Sequence, residues 1–244
     1  MPTIAITGAA RGIGAAFLAA YQKDPGNTIL AIDREHIDEP PTAQPNVRTY
    51  QVDVGSQSSI NAFAASLGDD DPVDLLIHSA GIRGLVPSIE ETGPGDVAAC
   101  ETMHVMDLET LTRTFQINAA GTFMLLRSLL PNLQTAEGKV VVMSSRMGSI
   151  GNNEHPNKDA GSAFAYRASK AALNTIVRSF AADVQDVCFV LCHPGRVETS
   201  LVRCKEEGAI PAGESVKGLL PLIERWGQDD SGKFYDRFGK AIQW

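Results

Sequence analysis

The chain has 244 residues, of which 43% are hydrophobic and 20% are charged, and its formal net charge is −8. This length and composition are typical of one α/β domain that buries a large apolar core. The acidic balance argues against a nucleic acid partner, because such binding needs basic patches. No apolar run approaches the roughly 18 residues that span a bilayer, and a strand beginning at residue 3 leaves no room for a signal peptide. We therefore expect a cytoplasmic protein without a membrane partner.

The first stretch, residues 3–14, combines a short apolar strand with three glycines in the spacing G-x-x-x-G-x-G, and an apolar helical run follows at 15–21. Glycine lets the backbone turn sharply and lets a pyrophosphate approach closely. The free N–H groups in the first turn of a helix favour an anion. The stretch therefore predicts a site for a phosphate-bearing cofactor.

Strand and helix signals then alternate along the chain. Further strands are predicted at 28–33, 47–54, 73–78, 139–144 and 187–192, with a short one in 233–244. Helical patterns occupy 56–67 after a capping Ser56, 108–133 with an end near Pro131, 163–184 and 213–226. Alternation of this kind predicts a doubly wound, mostly parallel sheet with helices on both faces. No linker or repeat divides the chain, so we expect a single domain over residues 1–244.

Three irregular stretches, 83–107, 148–162 and 196–212, follow the ends of predicted strands or lie near them. In an open α/β sheet, ligands bind at the edge where the strands end. Long loops at that edge usually shape a substrate pocket. We therefore expect these three loops to form the substrate site.

The four cysteines do not suggest a metal site or a disulfide. Cys188 and Cys192 lie on one predicted strand, where the rise per residue separates them by about 13 Å. Neither one metal ion nor one disulfide can join side chains so far apart. We interpret these two, Cys100 and Cys204 as reduced packing residues.

Asp33 ends the second strand, 19 positions after Gly14. An acid at this place can accept hydrogen bonds from the adenosine ribose and repel a 2′-phosphate, which favours NAD over NADP. Arg11 and Arg34 argue in the other direction, because either could neutralise a phosphate. A helix cap or a surface acid is the alternative interpretation of Asp33.

Tyr166 and Lys170 form a Y-x-x-x-K pattern on the helix predicted at 163–184. An i,i+4 pair shares one face of a helix, so the ammonium can lie near the phenol. A nearby cation lowers the pKa of a tyrosine and makes it usable for proton transfer near neutral pH. The pattern occurs by chance in many helices, and its value depends on the motifs that accompany it.

Seven motifs occur in an order that resembles the short-chain dehydrogenase/reductase family across nearly the whole chain. They are TGAARGIG at 7–14, DV at 53–54, SAG at 79–81, Asn118, SS at 144–145, YRASK at 166–170 and PGRVET at 194–199. SSRMGSI, YRASKAALN and the ending GKFYDRFGKAIQW also resemble the C-factor-like carbonyl reductase branch. The resemblance implies a seven-stranded Rossmann fold and an NAD(P)-dependent oxidoreductase that acts on a carbonyl or secondary alcohol.

The resemblance also implies roles for individual residues. Tyr166 would be the general acid or base, Lys170 would lower its pKa and hold the nicotinamide ribose, Ser145 would bind the substrate oxygen, and Asn118 would hold a water that links Lys170 to solvent. The remaining implied cofactor contacts run from the pyrophosphate through adenine and ribose to the nicotinamide: Gly8, Arg11, Gly12, Ile13, Gly14; Asp53, Val54; Ala80, Gly81; Pro194, Gly195, Val197 and Thr199.

Two features depart from the family pattern. The usual N-N-A-G reads His78-Ser79-Ala80-Gly81, and we interpret His78 as a hydrogen-bonded histidine of the sheet rather than a catalyst. Ser145 and Tyr166 are also 21 positions apart, which is longer than in most members. The extra residues form a polar loop, and one hypothesis is that it is a lid over the substrate.

Four basic residues, Arg83, Arg146, His155 and Arg196, lie near the predicted mouth of this site. One of them could clamp an anionic group of the substrate, because arginine suits carboxylate recognition. Ordinary loop charge is the interpretation we prefer.

Two other functions share parts of the pattern. A non-catalytic nucleotide-binding regulator would keep the glycine turn but often lose part of the Ser/Tyr/Lys set, which is intact here. A sugar-nucleotide epimerase or dehydratase shares Y-x-x-x-K but is usually longer.

The helical patterns 108–133 and 163–184 are the family's usual dimer contacts, and Ala168, Ala171 and Ala172 permit close packing, so we expect a homodimer or homotetramer.

Overall fold

The computed structural model describes residues 1–37, 45–68, 70–154, 162–204 and 206–244. Within them, one sheet has the strands β1 (Thr3–Thr7), β2 (Thr28–Asp33), β3 (Val47–Gln51), β4 (Leu75–His78), β5 (Lys139–Met143), β6 (Cys188–His193) and β7 (Lys233–Asp236). The helices are α1 (Gly12–Tyr21), α2 (Gln57–Leu67), α3 (Pro87–Thr92), α4 (Leu108–Phe115), α5 (Gly121–Thr135), α6 (Phe164–Asp183) and α7 (Ala212–Arg225). The predicted alternation of strands and helices is confirmed.

The seven strands lie in the order β3-β2-β1-β4-β5-β6-β7, and every neighbouring pair is parallel. This is the predicted Rossmann fold, with a wholly parallel sheet instead of a mostly parallel one. The strand order reverses between β1 and β4. In such a sheet the reversal opens a crevice at the carboxyl ends of the strands, where ligands bind.

Alternate residues of the strands belong to two apolar clusters, one on each face of the sheet. Leu30 of β2 and Leu76 of β4 pack with α2, α5 and α6 on one face. Ile29 of β2 and Ile77 of β4 pack with α1 and α7 on the other. Burial of both faces explains why the strands appear in the sequence as nearly continuous apolar runs.

The predicted end of the helix near Pro131 is wrong. The chain passes from α4 through a π-helical segment, Gln116–Ala120, directly into α5, which includes Pro131 and ends at Thr135. Proline removes one backbone hydrogen bond from a helix interior. Buried Leu129 and Leu133 on either side of it pack into the core and keep the last turn in place.

His78 is the hydrogen-bonded sheet histidine that the sequence predicts. Its Nδ1 lies 2.8 Å from Thr7 Oγ1 and its Nε2 lies 2.9 Å from Thr122 Oγ1. Burial, with a smaller effect from Lys170, lowers the pKa of His78 to about 3. A neutral imidazole with both nitrogens engaged joins the ends of β1 and β4 to α5.

The predicted capping role of Ser56 is also confirmed, because its hydroxyl accepts a hydrogen bond from Ser59 N–H at the start of α2. Among the described residues, no helix combines the length and the apolar character needed to cross a membrane.

Candidate active site

A cleft opens at the carboxyl edge of the sheet, above the reversal between β1 and β4. Most of the residues that the sequence predicts to bind a cofactor line this cleft: Gly8, Arg11, Gly12, Ile13, Asp33, Arg34, Asp53, Val54, Ala80, Gly81, Tyr166, Lys170, Pro194 and Thr199. They come from the ends of five different strands and the helices that follow them. The fold therefore brings together residues that are up to 191 positions apart in the chain, from Gly8 to Thr199, or about four-fifths of its length.

The glycine turn between β1 and α1 is shaped for close backbone approach. Gly8 and Gly12 have positive φ angles of 70° and 58°, a region that suits glycine. A Cβ on Gly14 would lie 2.1 Å from the carbonyl oxygen of Gly8, so α1 can pack against the turn only with glycine there. Gly14 is thus behind the turn and does not itself line the cleft.

The start of α1 offers free N–H groups to this cleft. No side chain caps the helix, and its first turn contains no acidic residue. Uncapped N–H groups and the positive end of the helix dipole favour a bound anion. The residues present therefore fit the pyrophosphate of a dinucleotide.

Asp33 lies at the far end of the cleft, where its carboxylate accepts hydrogen bonds from Ala10 N–H and Glu35 N–H, each at 3.0 Å. Neither of the two neighbouring arginines is a free cation. Arg11 forms an ion pair with Glu35, and Arg34 lies 3.7 Å from the same carboxylate. The end of the cleft therefore carries two acids that offset the two arginines.

Tyr166 and Lys170 lie one turn apart on α6 and face the same side of the cleft. Ser145, which follows β5, interacts with the Tyr166 phenol and lowers its pKa, and its Oγ accepts a hydrogen bond from Met147 N–H at 3.2 Å. The preceding Ser144 donates to Asn174 Oδ1 at 2.5 Å instead. Of the two serines, only Ser145 is thus directed to the tyrosine.

The charges around Tyr166 differ from the sequence-based expectation. Burial raises the pKa of this phenol, and the groups that act against burial are first Arg83 and then the hydrogen bond to Ser145. The Lys170 ammonium lies 5.8 Å from the ring centroid and donates to Met143 O at 2.8 Å. Burial lowers the pKa of Lys170 to about 8. Arg83 thus lies nearer to the Tyr166 ring than Lys170 does and lowers the pKa of the phenol.

Asn118 lies within the π-helical segment, where its side chain holds the turn after β4. Its amide donates to Ile82 O at 2.8 Å and to Ser169 Oγ at 2.9 Å, and its Oδ1 accepts from Ile82 N–H at 2.8 Å. These three hydrogen bonds fix the side chain, and the water that the family resemblance implies at Asn118 stays a prediction. A π-helical turn inserted in an α-helix is frequently found at a functional site.

Three further predicted residues lie beside the cleft without lining it. Ser145 is buried next to Tyr166. Gly195 turns the chain with a φ of 95°, and a Cβ there would lie 3.0 Å from Arg237. Val197 pairs with Ile210 in an isolated parallel bridge. The last two shape the loop that brings Pro194 and Thr199 to the cleft.

Three of the basic residues near the mouth have protein partners, and Arg83, whose side chain is only 14% exposed, is not the solvated loop charge of the preferred interpretation. Arg83 donates two hydrogen bonds to the carboxylate of Glu101. Arg146 lies 3.4 Å from Asp236, and Arg196 donates a hydrogen bond to Glu207 O. His155 and most of the proposed lid, residues 155–161, lie outside the described residues. The lid and the anion clamp therefore stay predictions.

Comparison with known proteins identifies the family. The model of the short chain dehydrogenase family matches residues 2–209. The chain belongs to this family. A relative, C-signal of Myxococcus xanthus, is 39% identical over 188 residues, which are 76% of this chain and all of that one. The 1-hydroxy-2-glutathionyl-2-methyl-3-butene dehydrogenase of Rhodococcus sp. (strain AD45) is 29% identical, and the alignment covers the full length of both chains.

A solved structure, the NADPH-bound carbonyl reductase from chicken fatty liver, superimposes with a TM-score of 0.81 at 26% identity, and covers 100% of this chain and 99% of that one. The resemblance to C-factor-like carbonyl reductases agrees with these relatives. The chain is thus an oxidoreductase of the short-chain dehydrogenase family, and neither a non-catalytic regulator nor a sugar-nucleotide epimerase is supported.

Several residues of the cleft are absent from the sequence-based prediction. Glu35 is two positions after Asp33, and the sequence could have indicated it as a second acid that pairs with Arg11 or Arg34. Glu101 gave no signal, because it is one acid in a long irregular loop and its partner Arg83 is 18 positions away. Ile82, Ile117 and Leu201 add apolar surface and carry no motif.

Proposed function

We propose that this chain transfers a hydride between a nicotinamide cofactor and a carbonyl or secondary alcohol, with Tyr166 as the general acid or base. The observation that supports it best is the buried Tyr166 side chain, which lies beside Ser145 and lines the same cleft as the glycine turn. The cofactor, when bound, supplies or accepts the hydride. The direct test is whether Tyr166→Phe loses turnover while cofactor binding persists.

In the direction of reduction, Tyr166 donates its hydroxyl proton to the substrate oxygen and becomes a phenolate. Ser145 donates a hydrogen bond to the same oxygen as negative charge develops on it. Oxidation reverses these steps, and the phenolate takes the proton of the alcohol. Lys170, which donates to Met143 O, would hold the ribose of the bound cofactor.

We propose NAD rather than NADP as the preferred cofactor. Asp33 and Glu35 lie together at the adenosine end, and Glu35 occupies the two arginines that would otherwise attract a 2′-phosphate. The chicken carbonyl reductase was solved with NADPH, so related chains use the other cofactor. The local charges of this chain are the support for NAD.

Glu35→Gln is expected to weaken the discrimination against NADP. The change leaves Arg11 and Arg34 free to approach a 2′-phosphate, so NADP should bind about tenfold more tightly, while NAD affinity changes little. Isothermal titration calorimetry of both cofactors measures the effect. Glu224→Gln, the same change at an exposed site on α7, should leave both dissociation constants as they are. Tighter binding of NADP than of NAD by the unaltered protein would overturn the proposal.

We also propose that the protein is a dimer or tetramer that associates through α4 and α6. These helices expose large apolar side chains, including Leu108 and Phe115, around a shallow apolar groove that Ala165 and Ala168 line. Exposed apolar surface of this kind usually marks an interface.

Ala168→Arg is expected to lower the mass in solution, because a charged side chain in the groove prevents close packing of α6 against its counterpart. Light scattering at micromolar protein should show an oligomer for the unaltered chain and a smaller species for the variant. Ala62→Arg, on the exposed face of α2, is the matched control and should keep the oligomer. A monomeric mass for the unaltered chain would refute the interface.

A cytoplasmic location is part of the same proposal. All four cysteines are free, and Cys100, Cys188 and Cys192 are buried. Free thiols are ordinary in a reducing compartment. The small-molecule substrate is a carbonyl compound or its alcohol, and no nucleic acid or membrane partner is proposed.

A further inference from the structure

Arg83 lies over the face of the Tyr166 ring, in a cleft where the family pattern provides only Lys170 as a cation. Its guanidinium carbon is 4.9 Å from the ring centroid, whereas the Lys170 ammonium is 5.8 Å away. A guanidinium this close to an aromatic face is attracted to it, and the attraction grows when the ring carries the charge of a phenolate.

The position of Arg83 is fixed by a buried ion pair. Its Nε and Nη2 donate to the two carboxylate oxygens of Glu101 at 2.8 Å and 2.9 Å, and its Nη1 lies 3.3 Å from Met147 Sδ. The side chains of Arg83 and Glu101 are only 14% and 7% exposed. Two parallel hydrogen bonds between planar groups hold both the place and the orientation of the guanidinium.

The backbone fixes the pair relative to the helix that carries Tyr166. Glu101 O accepts a hydrogen bond from Ala163 N–H at 3.1 Å, directly before α6. Gly84 follows Arg83 with a φ of 76°, and a Cβ there would lie 2.4 Å from Thr114 Oγ1. The loop after β4 therefore packs closely against α4 and α6, and this packing holds Arg83 beside the Tyr166 ring.

We propose that Arg83, held by Glu101, is a positioning residue that stabilises the phenolate form of Tyr166 and so sets the pH range of the reaction. This inference rests on the proposed role of Tyr166. In reduction, the proton leaves the Tyr166 hydroxyl for the substrate oxygen, and the negative charge that remains on the phenol lies beside Arg83. In oxidation, the same contact favours the phenolate that accepts the proton.

In the described part of the chain, the groups that act on Tyr166 have effects of different signs. Arg83 and the Ser145 hydroxyl lower the pKa of the phenol against the effect of burial, whereas Glu206 and Glu101 raise it. Lys170, on the same helix, is bonded to Met143 O. Glu101 therefore places Arg83 correctly while its own charge opposes the phenolate. The two members of one ion pair should thus shift the titration of Tyr166 in opposite directions.

The test compares Arg83→Met with Glu101→Gln. Arg83→Met removes the cation and should move the titration midpoint of Tyr166 upward by about one pH unit, which is about a tenfold loss of phenolate at a fixed pH below the midpoint. Glu101→Gln keeps a hydrogen-bonding partner for Arg83 but removes the negative charge, and should move the midpoint downward. Arg83→Lys keeps the charge and should shift it less than Arg83→Met.

Two readouts follow the midpoint. The first is the ultraviolet absorbance of tyrosinate in the protein without cofactor, taken as the difference between each variant and the same variant carrying Tyr166→Phe. The second is the pH profile of kcat/KM for alcohol oxidation, whose rising limb should move with the first readout. Arg127→Met is the matched control, since Arg127 lies over the Phe123 ring at 5.5 Å on an exposed face, and it should move neither.

An unchanged midpoint in Arg83→Met, or shifts of the same sign in Arg83→Met and Glu101→Gln, would overturn the inference. If Arg83→Met does not fold, Arg83→Gln, which removes the cation and keeps a hydrogen bond to Glu101, decides in its place, with a rise as support and a fall or no change as refutation. The absorbance titration does not need turnover. Substantial activity of Tyr166→Phe would therefore defeat the proposed function, while an unmoved titration would defeat only the role of Arg83.

Discussion

Tyr166→Phe is expected to lower kcat by a factor of about 10² to 10⁴ and to leave cofactor affinity nearly unchanged. The substitution removes only the hydroxyl, which is the group that donates to or accepts from the substrate oxygen. The aromatic ring, whose centroid lies 4.9 Å from the guanidinium carbon of Arg83, stays in place. Turnover measured by nicotinamide absorbance, together with calorimetric titration of the cofactor, separates the two effects.

Tyr50→Phe is the control for this experiment. Tyr50 lies on β3 and packs against the Phe63 ring at 5.0 Å, away from the cleft. Loss of its hydroxyl should change neither kcat nor cofactor affinity. If Tyr166→Phe kept a tenth or more of the unaltered kcat, the role given to Tyr166 would be wrong.

Gly14→Ala is expected to weaken cofactor binding by about two orders of magnitude or more, equivalent to about 3 kcal/mol. The added Cβ would lie 2.1 Å from Gly8 O and 2.6 Å from Gly8 C, which are backbone atoms and cannot rotate away. Either the turn or the start of α1 must move. The N–H groups that face the pyrophosphate then lose their common direction.

Gly213→Ala is the matched control, because a Cβ on this glycine of α7 meets nothing within 4 Å. The same substitution there should stabilise the protein by about 0.5–1 kcal/mol through helix propensity and leave cofactor affinity intact. Thermal unfolding and calorimetric titration measure both variants. Normal cofactor binding by Gly14→Ala would show that the tight turn is not needed for the site.

The sequence predicts the strands of the sheet well because most of them are apolar runs closed by glycine or polar residues. The register of β1 against β4, which places Gly8 beside Ala80, is not part of that prediction, because the pairing of distant strands leaves no short-range pattern. Tyr166, Lys170 and Ser145 are also predictable, since their spacing and order are set by a helix and by the end of a strand. Short-range patterns record such features directly.

Other features have no short-range pattern. The pairing of Arg83 with Glu101 depends on how the 18 positions from one to the other, which include α3, fold back. The π-helical segment at Asn118 arises from packing, and its sequence resembles that of an ordinary helix. Pro131 suggested a helix end because the loss of a hydrogen bond is visible in sequence, whereas the burial of Leu133 that offsets it is not.

The charge that governs Tyr166 shows the same limit. Spacing places Lys170 near the phenol, and a sequence-based argument therefore assigns it the effect on the pKa. The three-dimensional structure instead brings Arg83 closer to the ring, while Lys170 donates to Met143 O. Only the folded loop reveals which of two cations lies nearer.

The central claim is hydride transfer at the Tyr166 site, and isotope transfer tests it most directly. A panel of ketones and aldehydes is incubated with the unaltered protein and with Tyr166→Phe, using NADH or NADPH that carries deuterium at the transferable position of the nicotinamide. Mass spectrometry of the alcohols should show deuterium on the former carbonyl carbon with the unaltered protein and almost none with Tyr166→Phe. Equal deuterium transfer by both proteins, or none from either cofactor to any carbonyl despite tight cofactor binding, would contradict the account.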